Sequence, residues 1–282
     1  MLFTFNLPTT PSFLVLSPSS FVSKIITEIY FGLQSFRKTA KIFLEMMQMF
    51  RGELENFLDD AQIDLCEKFF RLVVEQNRVM NLTTITEPHE FALKHIIDSL
   101  NAWDEKIFQG VEKILDVGTG AGFPAVPLKI FRPQIKFTLI DSLNKRVEFL
   151  KRVVAELNLD GVEIFHGRAE ELSRQKIFRE QFDAVTSRAV ARLNVLAEYC
   201  LPFVKVGGVF VALKGKNFQE ELDEARPAIK ILGGGEIFVR EKNLPTLEDS
   251  RAVIYVRKNL STPKKFPRRE SVIRNSFLGK VN

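Results

Sequence analysis

The sequence predicts an α/β fold: a mostly parallel sheet with helices on both faces, an antiparallel strand at its edge, and an N-terminal helical addition. Three observations carry this. Short apolar runs alternate with helical stretches over residues 110–232, as parallel strands joined by crossover helices require. A glycine-rich turn, Asp116-Val117-Gly118-Thr119-Gly120-Ala121-Gly122, sits directly between an apolar run and a helix. Two further strand-like runs, EIFVREKN and SRAVIYVRK, then follow each other with no helix between them.

Residues 1–50 stand apart as a leader. They hold eight of the 26 Phe, six Ser and three Pro, with no acid before Glu28. No apolar stretch there reaches the ~20 residues of a membrane span, because Lys24, Glu28 and a Ser/Pro cluster interrupt it. Three readings stay open: an over-long start with Met46, Met47 or Met49 as the true first residue, an organellar transit peptide, or an unexplained extension. The fold is expected to begin near residue 50.

Residues 51–105 form the helical addition. Leu54, Phe57, Leu58, Ile63, Leu65, Phe69, Phe70 and Val73 recur at three- and four-residue spacing. After the polar loop NLTTITEP, a second helical stretch runs from Pro88 through Phe91, Leu93, Ile96, Ile97 and Leu100. The main domain, 106–258, reads as strands EKILDVG, IKFTLID, VEIFHG, FDAVTSRAV and GGVFVALKG. Helices AVPLKIF and LNKRVEFLKRVVAELN and helical segments at 168–180, 191–203 and 217–232 separate them. Residues 259–282 are a basic C-terminal tail, too short and polar to form a core of its own.

The net charge of +5 is unevenly spread. Residues 1–50 carry four basic and two acidic side chains, and residues 257–282 carry eight basic and one acidic. The body between them is mildly acidic, which excludes a uniformly basic, histone-like protein. Cys66 and Cys200 lie in apolar runs and read as small buried hydrophobes; no cysteine or histidine cluster suggests a metal. His89, His166 and Trp103 carry no signal beyond packing or surface.

The glycine turn is the strongest chemical signal. Glycines let the backbone approach a ligand closely, and the amides at the following helix N-terminus would face it. Its spacing is GxGxG with Asp116 ahead of it, unlike the GxGxxG of dinucleotide folds. Asp141 ends the second strand, where a carboxylate either takes ribose hydroxyls or caps the helix after Leu143.

An acid with GxGxG after strand one, plus an acid ending strand two, resembles the Rossmann-like class I S-adenosylmethionine-dependent methyltransferases. More narrowly, seven stretches resemble the GidB family of bacterial small-subunit (16S) rRNA guanine-N7 methyltransferases. They are Asn81-Leu82-Thr83, the run from His95 to Asp98 and Ser99, DVGTGAGFPAVPLKI, DSLNKR from Asp141, FDAVTSRA through Arg188, LKGK through Lys216, and PKKFPRR. The likeness spans about residues 53–270; one departure is Ala125, where many relatives carry Gly.

The resemblance implies S-adenosylmethionine as cofactor. It implies Gly118 and Phe123 in the methionine and adenosine pocket, Asp141, Ser142 and Leu143 at the ribose, Ala169 and Glu170 beside adenine, and Arg188 next to cofactor and substrate. Asp116, Gly120 and Gly122 complete the expected cofactor loop. Asn81, His95 and Asp98 join Arg188 as candidate catalytic residues, with a helix-surface hydrogen bond as the competing account of His95 and Asp98. Lys214, Lys216, Lys264, Lys265, Arg268 and Arg269 are expected at RNA phosphates, against a merely solvating role.

Guanine N7 is an exposed lone pair and needs no base, so positioning and water exclusion would supply most of the rate. The expected substrate is 16S rRNA or a small-subunit particle, acted on by a cytoplasmic monomer with no metal and no membrane. Alternatives are methylation of another RNA or a small molecule, and a non-catalytic RNA-binding protein with a retained cofactor fold. A nucleotide-dependent oxidoreductase is disfavoured by the glycine spacing.

Overall fold

A computed structural model describes residues 41–243 and 250–279. The leader reading for residues 1–40 lies outside the described residues. The chain divides into two compact units, Met1–Gln48 and Met49–Asn282. Residues 41–48 of the first are helical, with Lys41 and Glu45 paired one turn apart. No helix of the described residues is long and apolar enough to cross a membrane. No group of three or more potential metal ligands occurs among the described residues.

In the second unit, the helical pattern read from residue 51 is broken at Asp59. Its carboxylate accepts from the Gln62 backbone while the Gln62 side chain accepts from the Asp59 amide, a reciprocal cap that starts α1 (Asp60–Asn77) afresh. The stretch read as one helix from Pro88 begins as α2 (Pro88–Phe91). It then widens into a π turn over Ala92–Ile97 and closes as α3 (Asp98–Leu100).

The sheet follows: β1 (Lys113–Val117), α4 (Ala125–Phe131), β2 (Lys136–Asp141), α5 (Asn144–Glu156), β3 (Val162–His166), α6 (Ala169–Leu172) and β4 (Phe182–Arg188). Then come α7 (Leu193–Cys200), β5 (Val204–Lys214), α8 (Phe218–Ile231), β6 (Gly234–Asn243), β7 (Ser250–Lys258) and α9 (Glu270–Asn275). The helix expected over 168–180 is only the four residues of α6 followed by turns.

Strand order is β3-β2-β1-β4-β5-β7-β6. The first five strands are parallel, and β7 inserts antiparallel between β5 and β6. Chain order reverses between β1 and β4, and such a reversal opens a crevice at the carboxyl ends of the strands. Four of the five β1 residues are buried, as a central parallel strand covered on both faces demands.

Two additions complete this sheet. The N-terminal helices pack on it through Phe69, whose ring lies 5.2 Å from that of Phe123. Gln62 donates to the Ile130 carbonyl at 3.0 Å, and Tyr255 on β7 donates to the Ala102 carbonyl at 3.1 Å. The basic tail corrects the sequence reading: it is built into the core. Phe266, Ile273 and Leu278 are buried in the cluster shared by β4, β5, α7 and α8. Each such burial is worth about 1.5–3 kcal/mol, against about 0–1 for an exposed ion pair, so apolar contact chiefly holds the segment.

Candidate active site

At the crevice, β1 ends in the glycine turn. Gly118 has φ +67°, and a Cβ there would lie 2.5 Å from a Val190 methyl, so the loop after β4 rests directly on this backbone. The Gly120 amide donates to Asp141 Oδ2 at 2.9 Å, and a Cβ at Gly120 would have only the Gly118 carbonyl oxygen near it, at 4.0 Å. Gly122 does different work. A side chain there would collide with Val126, Leu150 and Phe69, so its smallness serves helix packing rather than a ligand.

Asp141 is buried and ties two segments together. Besides Gly120, it accepts from the Leu143 amide at 2.9 Å and lies 3.6 Å from Arg146. Each carboxylate oxygen keeps a lone pair beyond these bonds. Asp141, Ser142, Ala169 and Glu170 line one wall of a cavity of about 430 Å³, with Gly118 and Val190 also at its edge. Leu143 is half exposed beside them. Burial raises the Glu170 carboxyl above its ordinary range.

Asp116 is fully buried in the middle of the sheet. Thr186 donates to its Oδ1 at 2.7 Å, and the Thr119 hydroxyl also acts on the carboxyl. Burial pushes the Asp116 carboxyl up to about 7, with the Thr186 bond opposing.

Arg188 ends β4 and organises a second cluster. Its guanidinium donates to Asp98 Oδ2 at 2.9 Å, to the Lys94 carbonyl at 3.1 Å and to His95 Nδ1 at 3.1 Å. It also lies over the Phe123 ring at 4.7 Å, and that ring stacks on His95 at 4.3 Å. Phe123 therefore belongs to this cluster and does not line the first cavity. The π turn explains the geometry: the Asp98 amide reaches back to Leu93 and His95, leaving the Lys94 carbonyl for Arg188.

A guanidinium can only donate, so His95 Nδ1 accepts and Nε2 carries the hydrogen, which it gives to Thr83 Oγ1 at 2.8 Å. Burial, with Arg188 adding to it, holds His95 down at about 3, so the ring is neutral. It is a positioning group rather than a proton carrier. Burial likewise lowers Arg188, while Asp98 opposes the shift.

This cluster faces a second cavity, of about 370 Å³, lined by Leu82, Ile85, Arg188, Ala189, Lys214 and Arg251. Ala189, at φ +56°, stands where the two cavities divide; Val190 and Ala191 line the first. A non-glycine residue in this region is uncommon and marks a turn held by its surroundings.

Three sequence expectations need correction. Asn81 is exposed and lies outside both cavities; Thr83, two residues on, makes the contact with His95. The Lys214 ammonium is buried against Glu221 at 2.6 Å and the Ala191 carbonyl at 2.9 Å, so it is committed within the chain. Arg268 is bound to the nearly inaccessible Glu198 through its guanidinium at 2.7 Å and its own amide at 2.7 Å. Both expectations weighed charge without the acid waiting across the fold. Lys216, Lys264, Lys265 and Arg269 are exposed.

Thr83, Arg251, Val190, Glu270 and Phe277 went unnoticed in the sequence. Only Thr83 had a local signal, the NLT tripeptide; the others reach the site through topology.

Comparison of the sequence with known proteins gives the family. The profile of a family described as rRNA small subunit methyltransferase G, GidB, matches residues 62–250. A ribosomal RNA small subunit methyltransferase G from Exiguobacterium sibiricum is 48% identical over 222 residues, 79% of this chain and 93% of that protein. The protein of the same name from Lactobacillus acidophilus is 46% identical over 213 residues, 75% of this chain and 89% of the relative. One from Desulforamulus reducens is 45% identical over 220 residues, covering 78% and 92%.

Proposed function

The chain belongs to the GidB family of small-subunit rRNA methyltransferases, and from that premise we propose that it methylates N7 of a guanine in 16S rRNA, using S-adenosylmethionine. The observation that carries this reading is a pair of cavities lined by consecutive residues after β4, Arg188 and Ala189 on one and Val190 and Ala191 on the other, at the reversal of strand order.

The residues fit the cofactor. Asp116, wholly buried two residues before Gly118, would favour a cationic ligand through its charge, and Gly120 leaves room where a side chain would stand. Asp141 and Ser142 would take the ribose hydroxyls and Ala169 and Glu170 would flank the base, a reading supported by their lining one cavity. When bound, S-adenosylmethionine supplies an electrophilic methyl on a sulfonium sulfur.

The rest is positioning. The second cavity offers apolar walls, Leu82 and Ile85, for a purine face and cations for its acceptor edge. N7 and O6 are the acceptors on that edge. A cation at O6 orients the base while leaving the N7 lone pair free to attack. No proton leaves N7, so neutral His95 is sufficient where a general base would be wrong. His95, Asp98 and the Lys94 carbonyl fix Arg188, and a preorganised guanidinium costs little reorganisation during reaction.

Lys216, Lys264, Lys265 and Arg269 remain for RNA phosphates. The protein would act as a cytoplasmic monomer on rRNA or on an assembled small-subunit particle. Radiolabelled methyl transfer to small-subunit particles from cells lacking the enzyme tests the proposal. Label recovered as 7-methylguanosine supports it, and label in any other nucleoside refutes it.

A further inference from the structure

The tail that reads as a loose basic extension contributes to the first cavity. Glu270 and Phe277 line it together with Asp141, Ser142, Ala169 and Glu170. Both residues lie beyond the segment matched by the family profile, which ends at residue 250. Resting on the cofactor reading above, we propose that Phe277 and Glu270 are cofactor-binding residues, and that the C-terminal segment is a fixed wall of the nucleoside cleft.

Its anchoring argues for a wall rather than a passing contact. Phe266, Ile273 and Leu278 are buried in the main core. Arg268 grips Glu198 on α7, and Arg179 donates to the Thr262 carbonyl at 2.8 Å and to the Phe266 carbonyl at 3.0 Å. Arg174 adds a bond to the Pro267 carbonyl. On the cleft side, Arg168 pairs with Glu270 and lies 3.8 Å from Glu170, bridging the tail to the base end of the cavity.

Phe277 keeps 36% of its surface accessible although the residue that follows, Leu278, is buried. With Tyr199 it gives the cavity an aromatic lining. An aromatic face beside a nucleoside contributes by stacking, and a base is a suitable partner because it also has a π face. Glu270 adds a carboxylate that accepts from an exocyclic amine or a hydroxyl.

Calorimetric titration with S-adenosylhomocysteine tests this. Phe277→Ala should raise Kd about tenfold or more, the scale of a lost stacking contact, whereas Phe277→Tyr should stay within about threefold of wild type. Glu270→Ala should weaken binding by about threefold to tenfold, as expected for a single lost hydrogen bond to a charged group. A folded Phe277→Ala protein that binds within about twofold of wild type overturns the proposal. Should that variant fail to fold, hydrogen exchange on the wild-type protein decides. S-adenosylhomocysteine should slow exchange across 270–278, and unchanged exchange there with bound ligand overturns the wall. If wild-type protein does not bind S-adenosylhomocysteine at all, the methyltransferase reading itself fails.

Discussion

Arg188 and Asp98, ninety residues apart in sequence, are joined by a 2.9 Å ion pair in which the carboxylate is almost wholly buried. This pair gives Arg188 a structural role beside its proposed functional one. Arg188→Ala leaves a buried carboxylate uncompensated and should cost about 3 kcal/mol of stability in chemical denaturation, beyond any loss of turnover. Adding Asp98→Ala should recover a large part of that. Additive losses in the double variant would show that the pair contributes nothing.

His95 gives the protein an acid-sensitive fold. Its folded value, about 3, lies below the ordinary 6.5, so the folded state requires the neutral ring. This contribution is fully present above pH 6.5 and is lost as pH falls from 6.5 towards 3. Denaturation midpoints measured across that window should fall less steeply for His95→Gln than for wild type. The rate profile should show no limb that disappears with His95.

Asp116 ties stability to pH in the sense opposite to His95, and cofactor affinity in the same sense. Its carboxyl is raised from 3.8 to about 7 in the folded chain, so the unfolded state ionises first and Asp116 makes stability decline as pH rises between those values. An ammonium ligand favours the ionised form. Affinity for S-adenosylhomocysteine should therefore rise up to about pH 7, with proton release detectable by calorimetry in buffers of different ionisation enthalpy. Asp116→Asn should abolish that release.

Gly118 tests the contact between the two loops. A Cβ there falls 2.5 Å from Val190 at a φ of +67°, so Gly118→Ala carries both a clash and backbone strain. Cofactor affinity should drop by about tenfold or more, given that strain alone costs of order 1–3 kcal/mol. Val190→Ala in the same chain should restore a part of the loss. Full retention of affinity in the single variant would remove the glycine turn from the site.

The exposed cations separate from the buried ones in salt dependence. Neutralising Lys264, Lys265 and Arg269 together should reduce the slope of log affinity for RNA against log salt by roughly two, since each single-strand phosphate contact contributes about 0.7. Lys214→Ala should leave the slope unchanged, because that ammonium is held by Glu221.

What could be read from sequence was local. The alternation of strands and helices, the glycine turn and the acid ending β2 are patterns within a few residues, and the sheet follows them in order. Asp141 ends β2 and Ala169 and Glu170 come after β3 at the ligand edge; the family resemblance pointed to all three, and they line one cavity. The pairings of Lys214 with Glu221 and of Arg268 with Glu198 were not, since each depends on an acid brought across by helix packing. The π turn that frees the Lys94 carbonyl leaves no mark in the spacing of Phe91, Leu93, Ile96 and Ile97.

The docking of residues 262–279 also bears on when this protein becomes competent as it is made. The glycine turn, Asp141 and Arg188 emerge from the ribosome long before β7 takes its place between β5 and β6. The core still lacks Phe266, Ile273 and Leu278 at that moment, and the nucleoside cleft lacks a side. A nascent chain would therefore hold every signature residue of its chemistry while unable to retain the nucleoside, and competence would arrive only with its last helix.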